Sequence, residues 1–278
     1  MRTKDIVPAS AAGSFYPQSR AGLEGMLDAL LSKANPPALD GNIRAMISPH
    51  AVYIYSGQTA AAGYRLLRER PYTLAVILGA DHHLGFAGVS LFLEGKFATP
   101  LGEAEVDAEF AQKLTHKDKD IFFEPAAFSG EHSLEVQLPF LQRVLKNFKI
   151  LPVIMGQCGF GLCLKLARLI NDAGAGRNDI IVIASSDMYH GYDVAEAERV
   201  DRLTLAAIEK GSPQELFDGL RDERFQLCGG FGAVTALAFA KAAGCANIKV
   251  LDYANSARVT GNKEQGQWTV GYASVAMY

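Results

Sequence analysis

Short apolar, largely β-branched runs recur along the chain at Arg44–Ser48, Leu74–Gly79, Ile150–Met155, Ile180–Ser185, Ile248–Tyr253 and Trp268–Val275. Runs this short and continuous, without polar alternation, predict strands buried on both faces. Between most of them the apolar spacing is helical, over Gly22–Ala34, Ser56–Arg68, Ala104–His116, Ser133–Lys146, Phe160–Ala173, Ala195–Lys210 and Gly232–Ala243. Alternating strands and helices predict an α/β fold, a sandwich with a mostly parallel central sheet flanked by helices. No repeat and no Pro/Ser-rich linker interrupts the pattern, so residues 1–278 read as a single domain with a hairpin-like insertion at Gly85–Gly102. Pro139 falls inside the helical stretch EHSLEVQLPFLQRVL. It removes a backbone donor and disfavours the α conformation at Leu138, so this helix is expected to kink or restart.

Composition narrows the function classes. With 278 residues, 49% hydrophobic and 21% charged, the chain has ample material for a core. A net charge of -3 without a basic block leaves no electrostatic footprint for nucleic acid and no polybasic helix for a membrane surface. The expected partner is a small molecule or a peptide. No apolar stretch reaches bilayer length, and MRTKDIVPASAAG lacks the apolar segment of a signal peptide, so a cytoplasmic protein is expected. Cysteines 158, 163, 228 and 245 form no CxxC pair and read as reduced, mostly buried thiols.

Candidate chemistry comes from where the histidines fall. In an open parallel sheet the ligand crevice lies beyond the carboxyl ends of the strands. His50 follows the first long strand, His82 and His83 follow LAVILGAD, and His190 follows IIVIASSDMY. His132 opens a helix after Gly130, whereas His116 ends one among lysines and reads as a helix C-terminal cation. Any single histidine of this group is as readily a hydrogen-bonded structural residue as a ligand. Several converging on one crevice are what a mononuclear metal site requires. Asp187 is placed to orient an imidazole or accept a proton. Cys228, on the Gly-rich turn LCGGFG, is either a thiolate ligand or a small buried hydrophobe. His132 and Glu135 form an HxxE pair, open to a zinc-hydrolase reading, or Glu131 with Glu135 is only the acidic first turn of the helix. Tyr53, Tyr55 and Tyr189 are secondary candidates for lining a pocket.

Nucleotide motifs fail. GFGLCL has Leu164 in place of the third glycine of a dinucleotide fingerprint, and GGFGAVT departs from it similarly, reading instead as a close backbone approach before a helix. HExxH, GxSxG and GxxxxGK[ST] are absent.

The segments AAGSFYP, SPHAVYIYSG, ILGADHH, TPLGEAEVD, EHSLEVQLPFLQ, ASSDMYHG, CGG and VGYAS, in this order, resemble the Memo family. Its prokaryotic members accompany a radical-SAM protein in the AmmeMemoRadiSam system. The resemblance runs from about Pro8 to the C-terminus, and EHSLEVQLPFL and SSDxxH are its specific parts. It implies a fold similar to the class III extradiol dioxygenases and a pocket that binds iron or copper. Carried over by motif, the metal ligands are His50 of SPHA, His82 of DHH and Cys228 of LCGG. Asp187 and His190 of SSDMYH, with His132 of EHS, are the catalytic candidates.

That ligand set implies a dioxygenase-like oxidoreductase with iron(II) as the expected ion. The thiolate also suits softer ions, copper and zinc among them. A non-catalytic metal- or partner-binding protein on a reused enzyme fold is the alternative, and the zinc hydrolase a further one. The resemblance also implies functional association with a radical-SAM protein. One position departs: the family reads PHAGYxYSG, and Val52 stands where it has glycine, which predicts an altered loop or a narrower pocket.

Overall fold

The computed structural model describes residues 6–115, 119–262, 264 and 266–278, and His116 lies outside them. In chain order its elements are β1 Ile6–Val7, α1 Arg20–Lys33, β2 Ala45–Ser48, α2 Tyr53–Leu67, β3 Leu74–Ala80, β4 Val89–Leu91, β5 Lys96–Thr99 and β6 Gly102–Glu105. There follow α3 Ala108–Thr115, β7 Ile121–Phe122, a 3-10 turn at Pro125–Phe128, α4 His132–Glu135, α5 Leu138–Val144, β8 Lys149–Met155, α6 Phe160–Ala173 and β9 Ile180–Ser185. The last are β10 His190–Gly191, α7 Val194–Glu209, α8 Pro213–Arg221, α9 Gly230–Ala242, β11 Ile248–Asn255, α10 Ser256–Thr260 and β12 Thr269–Met277.

Among the described residues, one large sheet runs β10-β12-β2-β9-β3-β8-β4-β7, with β11 also paired to β12. Its centre, β2-β9-β3-β8, is parallel. Every residue of β2, β3 and β9 is buried, as expected of strands covered on both faces. Successive residues feed opposite layers. Met46, Ile77 and Ile183 pack toward α1, α2 and α5, while Ile47, Val76, Leu78 and Val182 pack toward α6 and α9. The fold is thus the mixed α/β sandwich that the hydrophobic pattern predicts.

The margins are antiparallel: β12 lies against β2, and β4 against β8. Only part of the predicted insertion is a hairpin. β5 and β6 pair antiparallel and take β1 alongside in a small separate sheet, whereas the apolar β4 joins the main one. Because Gly102–Glu105 pairs with β5, the helix predicted from Ala104 begins at Ala108. The predicted Ser133–Lys146 helix divides into α4 and α5 around Val136 and Gln137, with Pro139 in the first turn of the second. Proline is tolerated in a first turn, where its missing N–H has no partner to lose. No helix among the described residues is long and apolar enough to cross a membrane.

Candidate metal centre

β2, β9 and β3 are adjacent and parallel, so their carboxyl ends open on one edge. His50 follows β2 by two residues, His82 follows β3 by two, and the segment Ser186–Tyr189 leads from β9 to His190. Two glycines bring the remaining groups in. At Gly79 a Cβ would stand 2.7 Å from Ser133 Oγ, so the bare backbone lets α4 close on the end of β3. The contact is sealed by Ala80 N donating to Ser133 Oγ at 3.1 Å. At Gly229 a Cβ would stand 2.2 Å from the Ser185 carbonyl oxygen, so this turn seats Cys228 against the end of β9. The close approach expected of GGFGAVT is made here.

His50, His82 and His132 converge: one ligand atom from each lies within 4.8 Å of the others. The His82 and His132 rings stack with centroids 4.7 Å apart, and His50 meets both edge-on at 5.1 and 5.3 Å. Cys228 reaches the group from another side, its Sγ 3.1 Å from His50 Nε2. Protein nitrogen and sulfur ligands sit about 2.0–2.3 Å from a metal ion, so two ligands of one ion lie roughly 3–4 Å apart. The three imidazoles are close to the spacing of donors around one ion, whereas Cys228, the thiolate expected among the ligands, lies against His50 and outside that three-histidine group.

Electrostatics keep His50 and His132 neutral, each with a ring lone pair. Burial holds the buried His50 well below the ordinary histidine range, with His82 and His132 adding to it. Burial likewise lowers His132 to about 4, against the pull of Glu131. His82 behaves differently. Burial lowers it, but Glu131 outweighs burial and raises it. Burial of the Glu131 carboxyl is itself outweighed by the His82 ring and by the backbone N–H groups of Ser133 and His82, which hold it at about 2. The carboxylate sits 3.0 Å and 3.2 Å from His82 Nδ1. A carboxylate only accepts, so Nδ1 carries the proton and His82 presents Nε2. Cys228 is exposed as a residue, yet its thiol faces Asp187 and His50, and that desolvation, with the Asp187 carboxylate, pushes it up to about 12. Coordination to an ion reverses this and deprotonates a thiol.

A cavity of about 800 Å³ adjoins Cys228, with Phe217, Phe225, Phe231 and Leu220 on its apolar side and Arg221 and Glu223 also in its wall. A smaller one of about 390 Å³ adjoins His132 and Asp187 and is walled by Phe15, Tyr55, Trp268 and Tyr272. His190 lines both. Val52 lines the smaller, at φ -52°, a backbone that suits valine, so the loop is unstrained there and its side chain occupies part of the wall.

Several expected relationships differ in detail. The ring of His190 is held by the Met188 carbonyl, 2.9 Å from Nδ1, rather than by Asp187. The buried Asp187 instead accepts from the backbone N–H groups of His50 at 2.8 Å and Ala51 at 3.3 Å, bracing the loop that carries the first histidine. Burial raises its carboxyl to about 7 against those bonds. Glu135 turns away from the histidines. It accepts from Ser10 N at 2.7 Å, Ser10 Oγ at 2.9 Å, Ala11 N at 2.9 Å and the Tyr16 hydroxyl. The HxxE pair is thereby split, and the hydrolase arrangement of His132 with Glu135 does not form. Of the three tyrosines, Tyr55 reaches a cavity, Tyr53 donates to the Val136 carbonyl, and Tyr189 packs with Ala197 and Val200. Sequence reasoning took Glu131 only for part of an acidic helical turn and missed its hold on His82. Its signal was an acidic residue directly before His132, at the N-cap of α4.

A family profile described as Memo-like protein matches residues 8–276. A MEMO1 family protein of Archaeoglobus fulgidus is 34% identical over 269 residues, covering 95% of this chain and 96% of that protein. One from Aquifex aeolicus is 32% identical over 259 residues, covering 92% and 94%. Another, from Caldivirga maquilingensis, is 30% identical over 282 residues, covering 97% and 98%. With a family profile matched over residues 8–276 and relatives 30–34% identical along nearly their whole length, the chain belongs to the Memo family.

Proposed function

We propose that this protein is a non-haem metal-dependent oxidoreductase, dioxygenase-like in its ligand arrangement, that acts on a small organic molecule or peptide. His50 and His82 hold the ion, iron(II) foremost, and Cys228 and His132 complete the ring of donors. The observation that carries the reading is the convergence of three imidazoles on the carboxyl edge of a parallel sheet, His82 having its Nδ1 committed to Glu131. Bound there, iron or copper supplies Lewis acidity and one-electron chemistry at open coordination positions.

The chain's own groups do the rest. His190, its Nδ1–H donated to the Met188 carbonyl, presents Nε2 as a proton acceptor in the wall of both cavities. Asp187 fixes the position of His50 through the main chain and lines the smaller cavity. The aromatic walls of that cavity exclude water from a bound substrate and accept its apolar face.

Oxygen uptake by the anaerobically iron-loaded protein, screened against a library of small aromatic and aliphatic compounds, tests the reading. Substrate-dependent uptake that falls in His190→Ala, with iron content unchanged, is expected. Metal-loaded protein inert across the library would favour the non-catalytic metal-binding alternative.

A further inference from the structure

Which nitrogen of His50 is free to bind is set by three residues that the ligand roster does not include. Ser185, at the end of β9, has one hydroxyl proton and two lone pairs. Its Oγ lies 2.6 Å from the Ser133 carbonyl, which only accepts, so the proton goes there. It lies 2.7 Å from Gln137 Nε2, which only donates, so one lone pair is taken. The orientation of the Gln137 amide is fixed by the Pro49 carbonyl, and the Tyr64 hydroxyl completes it. Nε2 also donates to the Pro49 carbonyl at 3.0 Å, while Oε1 accepts from the Tyr64 hydroxyl at 2.6 Å. A flipped amide would set two oxygens against each other at Pro49.

One lone pair of Ser185 remains, and His50 Nδ1 faces the same oxygen at 3.0 Å. With its proton already given to Ser133, Ser185 can only accept, so Nδ1 carries a hydrogen. In the neutral ring Nε2 is then the lone pair, and Nε2 is the atom turned toward Cys228.

We infer that Ser185 and Gln137 are positioning residues that hold His50 in the Nδ1–H tautomer and aim its Nε2 at the site, the Pro49 carbonyl orienting the Gln137 amide. The inference rests on the reading of His50 as a ligand. It deepens that reading, because the oxygen that receives the Ser185 proton belongs to the residue beside His132. One hydroxyl therefore ties the ring of His50 to the helix that carries another imidazole of the cluster. Gln137 itself is buried at the N-cap of α5, where the helical stretch divides. His82 reaches the same tautomer by a different device, the Glu131 carboxylate.

The test uses metal-free protein labelled with 15N-histidine, His50 being assigned by comparison with His50→Gln. Long-range proton–nitrogen correlation is expected to show a protonated Nδ1 and an unprotonated Nε2. In Ser185→Ala the opposite tautomer should appear, and the affinity for iron(II), titrated anaerobically, should fall roughly 10–100-fold. Ser185→Thr, which keeps the hydroxyl, should recover both. Wild-type protein with Nε2 protonated would overturn the inference without recourse to any variant. So would a folded Ser185→Ala with tautomer and affinity unchanged. Wild-type protein with the expected tautomer but no iron(II) binding would overturn the metal reading and leave the tautomer assignment standing.

Discussion

Glu131 grips His82 at two points: Oε2 accepts from the His82 main-chain N–H at 3.0 Å, and Oε1 lies 3.0 Å from its ring Nδ1. A third N–H, from Ser133 at 2.8 Å, completes the set. One carboxylate thus fixes the loop after β3, the ring it carries and the start of α4.

Glu131→Gln keeps one acceptor and sets an NH₂ group against donors at the other. We expect a fall in metal affinity of roughly 10–100-fold, the usual cost of losing an outer-shell partner of a histidine ligand. Anaerobic titration of the variant with iron(II) checks this, and unchanged affinity would mean that His82 needs no carboxylate to hold its ring.

Glu135 answers a different question. Its four acceptor bonds anchor Ser10, Ala11 and Tyr16, and its removal strands two buried donors, the Ala11 N–H and the Tyr16 hydroxyl. Each buried unsatisfied group costs about 1–3 kcal/mol, so Glu135→Ala should lower the unfolding free energy by at least about 2 kcal/mol while metal content stays at the wild-type level. Denaturant unfolding alongside metal analysis separates the two effects. Metal loss from a folded Glu135→Ala protein would return the HxxE pair to the site.

Away from the site, Asp201 gives the protein a pH dependence of known sign. It is fully buried, accepting from Tyr189 N at 2.9 Å and the Tyr253 hydroxyl at 2.8 Å, and burial outweighs both bonds to raise its carboxyl from 3.8 to about 6. The folded state therefore holds this proton more tightly than the unfolded chain. The resulting stabilisation is full below pH 3.8 and is lost as the pH rises through about 6. It is worth on the order of 3 kcal/mol by the conversion of pKa shift to free energy. Asp201→Asn, whose NH₂ can donate to the Tyr253 oxygen, should flatten the stability profile across that window. A slope between pH 4 and 6 identical to wild type would assign the dependence elsewhere.

Val52→Gly tests the wall of the smaller cavity. Since valine is unstrained at φ -52°, the change relieves no strain, and glycine's extra unfolded-state entropy, about 0.4–1 kcal/mol, opposes its better fit at the N-cap of α2, so stability should not rise and metal content should stay unaltered. A gain in stability on thermal unfolding would show that the valine is strained after all.

The central strands were legible because Leu74–Ala80 and Ile180–Ser185 are apolar on both faces, a pattern that depends only on burial. Strand direction was not, since nothing local distinguishes the antiparallel β12 from its parallel neighbours. Helix α8 went unpredicted although Ser212, Pro213 and Glu215 form a helix-start signal, with Ser212 Oγ accepting from Glu215 N at 3.2 Å. At the site, the histidines at strand ends were readable from topology alone. Their partners were not: Asp187 is three residues from His190, yet the turn after β9 delivers its carboxylate to the backbone of His50. Gln137 and Ser185 are 48 positions apart, and only the packing of α4 on the sheet edge joins them.

The most direct test of the metal centre is metal content by mass spectrometry on tag-free protein purified without chelator and reconstituted anaerobically, with His82→Ala, His132→Ala and Cys228→Ser in parallel. Near-stoichiometric iron or copper in the wild type that is lost in His82→Ala is the predicted result, the other two variants ranking the remaining donors. Absence of bound metal from the folded wild-type protein after reconstitution would contradict it.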